Sequence, residues 1–414
     1  MAKRKKVVWE PTVSESTRVR EADEKILKTG KVELEEIIRR AFDFFWEQAN
    51  PENGQIKDRN VVGGFASISA LGFGIPVLCI GVERGWVQKD EVYDRIIRVL
   101  KFMRDKAKNV NGFYYHFLDL ETGVRVSKGC ELSSIDTSLF VGGALFAGQY
   151  FKGTEIEDLS DQFEKAVNWK WMMNRGRTLS MGWFPERGFI SHRWKEFSEH
   201  LMMYLMAIGT DSYPIKPTAW DWIHRPEKTA YGNNYVYCYT ESLFVYLLSQ
   251  AWVDFRDRKD SYMNYWENSK KAAFASRQFV AERADKHKGY EQDVWGLSEC
   301  DGPTGYRHFG AMRWRQNGTL APYSMVTSYP LLPDLVEKGI QTMIQRHGSR
   351  IWGRYGFVSG FNAEKNWFSK EFIGIHLGLT AFMLENHLSG FIWKYFNNID
   401  CIKKGMERVG LKPE

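Results

Sequence analysis

Two kinds of helical segment take turns along this chain, and their alternation restricts the fold more than any motif does. One kind is amphipathic with a single charged face, at roughly 33–49, 89–107, 157–174, 260–281, 333–347 and 392–410. In 89–107, Val92, Ile96, Ile97, Leu100 and Met103 fall on one stripe, the pattern of a helix that buries one side and wets the other. The second kind is apolar nearly all round, at roughly 65–82, 134–150, 196–208, 240–255, 319–329 and 372–390. A helix apolar on every side has to be enclosed by neighbours on every side. Outer-type and inner-type segments in this order predict an all-α fold, a double-layered (α/α)6 helical barrel or toroid. The alternation breaks at 209–239, where Pro214, Pro217, Trp220, Trp222 and "YGNNYVYCY" replace an outer helix.

The 414 residues show no linker, so a single barrel is expected over 31–414, preceded by a flexible basic tail at 1–30 that begins "MAKRKK". Hydrophobic residues at 43% allow a large core, and aromatics at 15% exceed what packing alone requires. The formal net charge of +6 has no basic patch beyond the tail, so no nucleic-acid partner is expected. Five scattered cysteines without C-x-x-C argue against a disulfide framework or a structural zinc site. No apolar run reaches membrane-spanning length without a proline or charge, so no membrane partner is expected. The charged start does not read as a signal peptide. A full-length chain is then expected in the cytoplasm, and a chain that lost a leader in the periplasm or outside the cell. The oligomeric state is left open.

Long connections at 50–64, 108–132, 175–194, 209–239, 283–318 and 348–371 are rich in Gly, Trp, Tyr, Asp and Arg. Loops of this length in a compact domain usually serve function. In a helical barrel they gather as a bowl at the end where the inner helices begin. The chain has no phosphate-binding glycine loop, G-x-S-x-G elbow or H-E-x-x-H motif, and its nine histidines are not at ligand spacing, so no metal is expected. "GFGIPV" at 72–77 reads as close helix packing.

Carboxylates remain as candidates. Glu131 and Asp136 open the apolar segment "CELSSIDTSLFVGGALFAGQYF". Ser133 and Asp136 fit a capping box, which accounts for Asp136 but not for Glu131. Glu199 stands, on a helical reading, on the same face as Met202, Met203 and Met206. Burial there would raise its pKa and keep it protonated, as a general acid requires; a structural Glu bonded to backbone or Arg is the alternative. "YEQDVWGLSECDGPTGY" at 290–306 and "RIWGRYGFVSGFN" at 350–362 interleave acids and Arg354 with rings. Such a mixture can bond sugar hydroxyls and stack on pyranose faces.

Together "SISALGFGIPVLCIGVERGWV", "GFYYHFLDLETG", "CELSSIDTSLFVGGALFAGQYF", "MGWFPERGF", "EHLMMYLMAIG", "DVWGLSECDGPTGY" and "WGRYGFVSGFN" resemble, over about residues 35–408, the bacterial "putative glucoamylase" family. That family includes the endo-β-1,2-glucanases of glycoside hydrolase family 144 and resembles the glycan-processing region of cyclic β-1,2-glucan synthases. The resemblance implies an (α/α)6 barrel acting on β-1,2-linked glucose chains without a cofactor. It implies a general-acid role for Glu199 and a catalytic-subsite place for Glu131 and Asp136. Substrate contact is expected from Asp58, Arg59, Trp194, Tyr204, Trp295, Asp301, Arg354 and His376. One departure stands out: where the family reads "IGIDQGP", this chain reads "IGIHLGL", with His376 in place of a candidate base. His376 is then either a substitute base or a packed histidine bonded to a backbone carbonyl. The segments 240–252 and 321–333 also depart from the family. Three activities are compatible with these residues. The first is hydrolysis of β-1,2-glucan or sophoro-oligosaccharides. The others are glycan binding without catalysis, and transglycosylation or phosphorolysis of β-linked glucosides.

Overall fold

The computed structural model describes residues 13–312 and 314–414. Its helices, in chain order, are α1 (Val13–Thr29), α2 (Leu34–Glu47), α3 (Ile68–Glu83), α4 (Lys89–Asp105), α5 (Ser134–Tyr150), α6 (Glu155–Ala166), α7 (Trp169–Met172) and α8 (Leu201–Gly209). There follow α9 (Thr218–Asp221), α10 (Leu243–Trp252), α11 (Tyr265–Ala281), α12 (Pro322–Thr327), α13 (Pro333–His347), α14 (Gly374–Leu388), α15 (Phe391–Phe396) and α16 (Asp400–Arg408). The apolar helices form a closed inner ring. α3 packs on α5, α5 on α8, α8 on α10, α10 on α12, α12 on α14, and α14 returns to α3. The amphipathic α2, α4, α6, α11 and α13 lie outside them. This is the expected (α/α)6 toroid.

Why the inner helices are apolar all round follows from the packing. Phe73 of α3, Trp252 of α10 and Phe382 of α14 meet at the centre, with ring centroids 4.7–5.2 Å apart. Glycines set the spacing of α3 and α5. A Cβ on Gly72 would lie 2.4 Å from the Leu139 carbonyl oxygen, and one on Gly143 2.2 Å from that of Gly72. The expected packing role of the "GFGIPV" glycines is thereby borne out.

Two expectations are corrected. The outer segment at 392–410 divides: α15 packs across α5, α10 and α14 and closes one end of the ring, while α16 lies against α8. A Cβ on Gly209 would fall 1.6 Å from the Cys401 carbonyl oxygen. The C-terminal helix therefore covers α8 where 209–239 supplies no long helix. That stretch forms only α9 and a hairpin pairing Glu227–Ala230 with Asn233–Val236. The expected flexible tail at 1–30 is in part the helix α1, while residues 1–12 lie outside the described residues. Asp23 of α1 accepts from the enclosed Arg40 guanidinium at 2.9 Å and from Trp352 Nε1 at 2.8 Å. These bonds tie the helix to α2 and to the 352 loop.

Among the described residues no helix is long and apolar enough to cross a membrane. Because α15 closes the C-terminal ends of the inner helices, the open end is the one at which they begin.

Candidate active site

At the start of α5, Ser133 is the N-cap, and its Oγ accepts from the Asp136 amide at 3.2 Å. The same hydroxyl donates to Asp136 Oδ2 at 2.5 Å. The cap and the site thus share one residue. His116 arrives from the preceding loop, its Nδ1 3.1 Å from Glu131 Oε1 and 3.6 Å from Asp136 Oδ2. Burial works against a charged imidazole, but Asp136, Glu131 and Asp58 outweigh it and raise the His116 pKa to about 9. Burial likewise tends to raise Glu131, yet the His116 bond and charge hold that carboxyl below the usual range. The result is two acids around one imidazolium. The ring stacks on Phe117 with centroids 3.9 Å apart, and Phe117 meets the half-exposed Phe65 at 4.6 Å.

His116, Glu131 and Asp136 also bring their ligand atoms within 4.8 Å of one another, close enough to hold a metal ion. Sequence spacing does not reveal this grouping. Both acids face the same Nδ1, so a metal there would first have to displace a firmly held proton.

Glu199 is not on a helix. It occupies the turn two residues ahead of α8, whose N-cap is His200. The expected helical face with three methionines is corrected accordingly. Ser249 of α10 fixes this turn by donating to the Glu199 carbonyl at 2.5 Å, and its Oγ accepts from the Met202 amide at 3.2 Å. The side chain keeps part of its surface open, with protein around the rest. Burial pushes its carboxyl above the ordinary range, opposed by the Ser198 hydroxyl and reinforced by the negative charge of Glu299.

Glu299 is one of the acids of the 290–306 segment, and the sequence did not single it out. It belongs to a hairpin pairing Glu299–Gly302 with Gly305–His308, in the register Glu299↔His308 and Asp301↔Tyr306. Alternation along paired strands puts those four side chains on one face. Their spacing around the Pro303–Thr304 turn was the available signal. Glu299 accepts from Ser242 and Ser298 and from His308 Nδ1 at 3.1 Å. Its acceptor sites are largely filled, so it acts on Glu199 as a fixed charge.

Beside this hairpin Arg59 bonds Asp58 at 3.0 Å, Asp301 at 3.2 Å and Glu371 at 2.5 Å. Asp58, Arg59 and Asp301, three of the residues expected at the substrate, come together here with Glu371. Other residues expected at the substrate are enclosed or engaged with the protein. Tyr204 and Trp295 have no exposed surface. The Tyr204 hydroxyl donates to the Trp194 carbonyl at 2.7 Å, and Trp194 Nε1 donates to Ser134 Oγ at 2.8 Å. These rings brace α8 against α5. Arg354 binds Glu47 at the end of outer helix α2. His376 is 1% exposed, its ring stacked 3.9 Å from Tyr323 and its Nε2 3.3 Å from the Tyr306 hydroxyl. Burial drives its pKa far down, with Arg59 adding to the effect. It is a packed neutral histidine, bonded to a tyrosine rather than to a backbone carbonyl.

A double-layered helical toroid whose open end collects carboxylates is the class that fold and site define. The chain belongs to the Glycoamylase family, described as "Putative glucoamylase", whose family model matches residues 191–400. It is 29% identical over 410 residues to the exo β-1,2-glucooligosaccharide sophorohydrolase (non-reducing end) of Parabacteroides distasonis, an alignment covering 89% of this chain and 56% of that protein. The chain thus spans just over half the length of that relative. A solved structure from Bacteroides uniformis, described as a "putative glucoamylase", superposes with a TM-score of 0.87 at 25% identity, covering 92% of this chain and 98% of that one. The endo-β-1,2-glucanase of Chitinophaga pinensis, solved with sophorotriose and glucose, gives 0.83 at 25% identity, covering 92% and 99%.

Proposed function

We propose that this chain is a glycoside hydrolase acting on β-1,2-linked glucans or their oligosaccharides. The observation that carries the reading is that the site drives its carboxyls in opposite directions. Glu199 is pushed up by burial and by Glu299, while Glu131 is held down by His116. Environments that separate two carboxyl pKa values assign one as acid and the other as base. Glu199 protonates the leaving glycosidic oxygen. An acid of the Glu131/Asp136 pair, ionised beside the imidazolium, activates water or attacks the anomeric carbon. Asp58, Arg59 and Asp301 offer a charged rim for sugar hydroxyls, and the Phe65–Phe117 surface offers a stacking face. The names of the relatives support the linkage.

A second reading is glycan binding without hydrolysis. It draws on His376, which fills the place of a candidate base and is fully enclosed. Incubation of the protein with linear β-1,2-glucan and a panel of other glucans decides between them. New reducing ends from the β-1,2 polymer alone are expected. Retardation in a glucan gel without new reducing ends would establish the binding reading instead, and longer or cyclic products would indicate transfer.

A further inference from the structure

Beyond the carboxylates lies a second concavity that no part of the reaction uses. Its volume is about 660 Å³, and its walls include Lys228, Tyr231, Tyr235, Tyr237, Glu241 and Trp314. That size falls in the range of about 300–1,000 Å³ typical of ligand sites. The floor is the Glu227–Ala230/Asn233–Val236 hairpin, which stands where the sequence lacks an outer helix. Lys228 crosses from the hairpin to the buried Glu241, and its ammonium lies 5.3 and 5.6 Å from the Tyr235 and Tyr237 ring centres. Glu241 has φ +50, a conformation uncommon for a residue with a side chain. The Tyr231 hydroxyl donates to Glu282 at 2.7 Å.

The concavity shares a wall with a recess on the 299–308 hairpin. Trp314, 68% exposed, lines it and also a neighbouring recess of about 450 Å³ that contains Tyr306 and His308. His308 bonds Glu299, the charge beside Glu199. Tyr306, His308 and Trp314 therefore stand between the Glu299 hairpin and the cleft. Charge over the two recesses is nearly balanced, with Glu227, Glu241 and Glu282 against Lys228, Arg283, Arg307 and Arg315. Such a lining lacks the field that draws a polyanion. Rings combined with paired charges match a neutral ligand with apolar C–H faces and a rim of hydroxyls.

We infer that this hairpin cleft is a distal subsite that holds glucose units of the same glucan chain whose reacting bond lies in the bowl, with Trp314 as the stacking platform at the junction. The inference rests on the glucan reading above and adds where the rest of the polymer runs.

The test compares wild type with Trp314→Ala, Tyr237→Ala and Trp314→Phe on β-1,2-glucans of graded length. The ratio of kcat/KM on long chains to that on the shortest cleaved oligosaccharide should fall about tenfold in both alanine variants. The phenylalanine variant, which keeps a ring, should recover most of it. An unchanged ratio, or equal losses at every length, overturns the subsite. A second arm measures affinity of Glu199→Gln for the same polymers in gels, with and without Trp314→Ala. If wild type cleaves no glucan, the hydrolase reading fails, yet length-dependent retardation lost with Trp314 still supports the cleft. Retardation indifferent to Trp314 overturns the cleft, and no retardation by any glucan overturns both.

Discussion

Glu199 and Asp136 carry the sharpest tests at the scale of single residues. Glu199→Gln keeps shape and cannot deliver a proton, so turnover should fall about 100- to 10,000-fold while affinity for glucan stays near wild type. Retention of more than about a tenth of the rate on an unactivated substrate would remove Glu199 from the acid role. Glu299→Gln examines the charge that helps keep Glu199 protonated. Without it the Glu199 pKa drops, so the alkaline limb of the kcat–pH profile should move to lower pH. A uniform loss of rate with an unmoved limb would reduce Glu299 to a structural part. Asp136 both partners the cap hydroxyl and faces His116. Asp136→Ala should cost about 1–2 kcal/mol in urea unfolding, whereas Asp136→Asn should fold normally and lose activity. Full activity in the Asn variant would leave Asp136 as a cap alone. Both candidate acid sites were legible in the sequence because an acid beside an all-apolar run calls for an explanation. His116 was not, since it meets Glu131 and Asp136 through loop geometry that no periodicity encodes. Tyr204 and Trp295 were assigned to substrate from the family resemblance, and a motif match does not tell a ring that lines a bowl from one that braces a helix.

At the scale of elements the inner helices were readable nearly to their ends, because an all-apolar helix has one place to go. The hairpin at 299–308 was not recognised, although E-C-D and Y-R-H alternate about a two-residue turn. Short strands carry little periodic signal, and its Asp-Gly-Pro read as an ordinary loop. The split of 392–410 into a plug and an outer helix was likewise hidden, since both halves are amphipathic. The contact that fixes α3 on α5 gives a direct test. A Cβ at Gly72 or Gly143 would strike backbone carbonyl oxygens at 2.4 and 2.2 Å. Backbone in packed helices cannot yield as a side chain tip does. Gly72→Ala and Gly143→Ala should each destabilise by about 1–3 kcal/mol or more. Gly129→Ala, where the nearest atom is 3.6 Å from a Cβ, should be close to neutral. Equal unfolding midpoints for all three would mean that the two helices are not held at the observed spacing.

For the whole molecule, histidines buried in opposite charge states shape the stability curve. His116 has its pKa raised to about 9, against burial, by Asp136, Glu131 and Asp58. Its contribution is complete below the unfolded value of about 6.5 and is lost as pH rises from there through about 9. His200 and His347 are lowered by burial to about 3 and about 4, with nearby arginines adding to the effect. They favour the folded state fully above about 6.5 and lose that contribution as pH falls toward their folded values. Each such group changes stability by about 1.4 kcal/mol per pH unit inside its window. Asp58 and Glu199, raised by burial, act in the opposite sense on the acid side: what they contribute is present at low pH and lost as pH rises through their folded values. Comparing single variants therefore isolates the histidines. Urea unfolding at pH 5, 6.5 and 8 should give the highest stability at 6.5. His116→Gln should flatten the fall between 6.5 and 8, because its window lies there. His200→Leu removes a ring whose two nitrogens are buried without hydrogen-bond partners, and it should flatten the fall between 6.5 and 5. If the alkaline limb survives His116→Gln unchanged, the imidazolium between Glu131 and Asp136 does not exist at neutral pH. The proton shared among those two acids and His116 would then have to be assigned afresh, and with it the division of labour between Glu199 and the α5 pair.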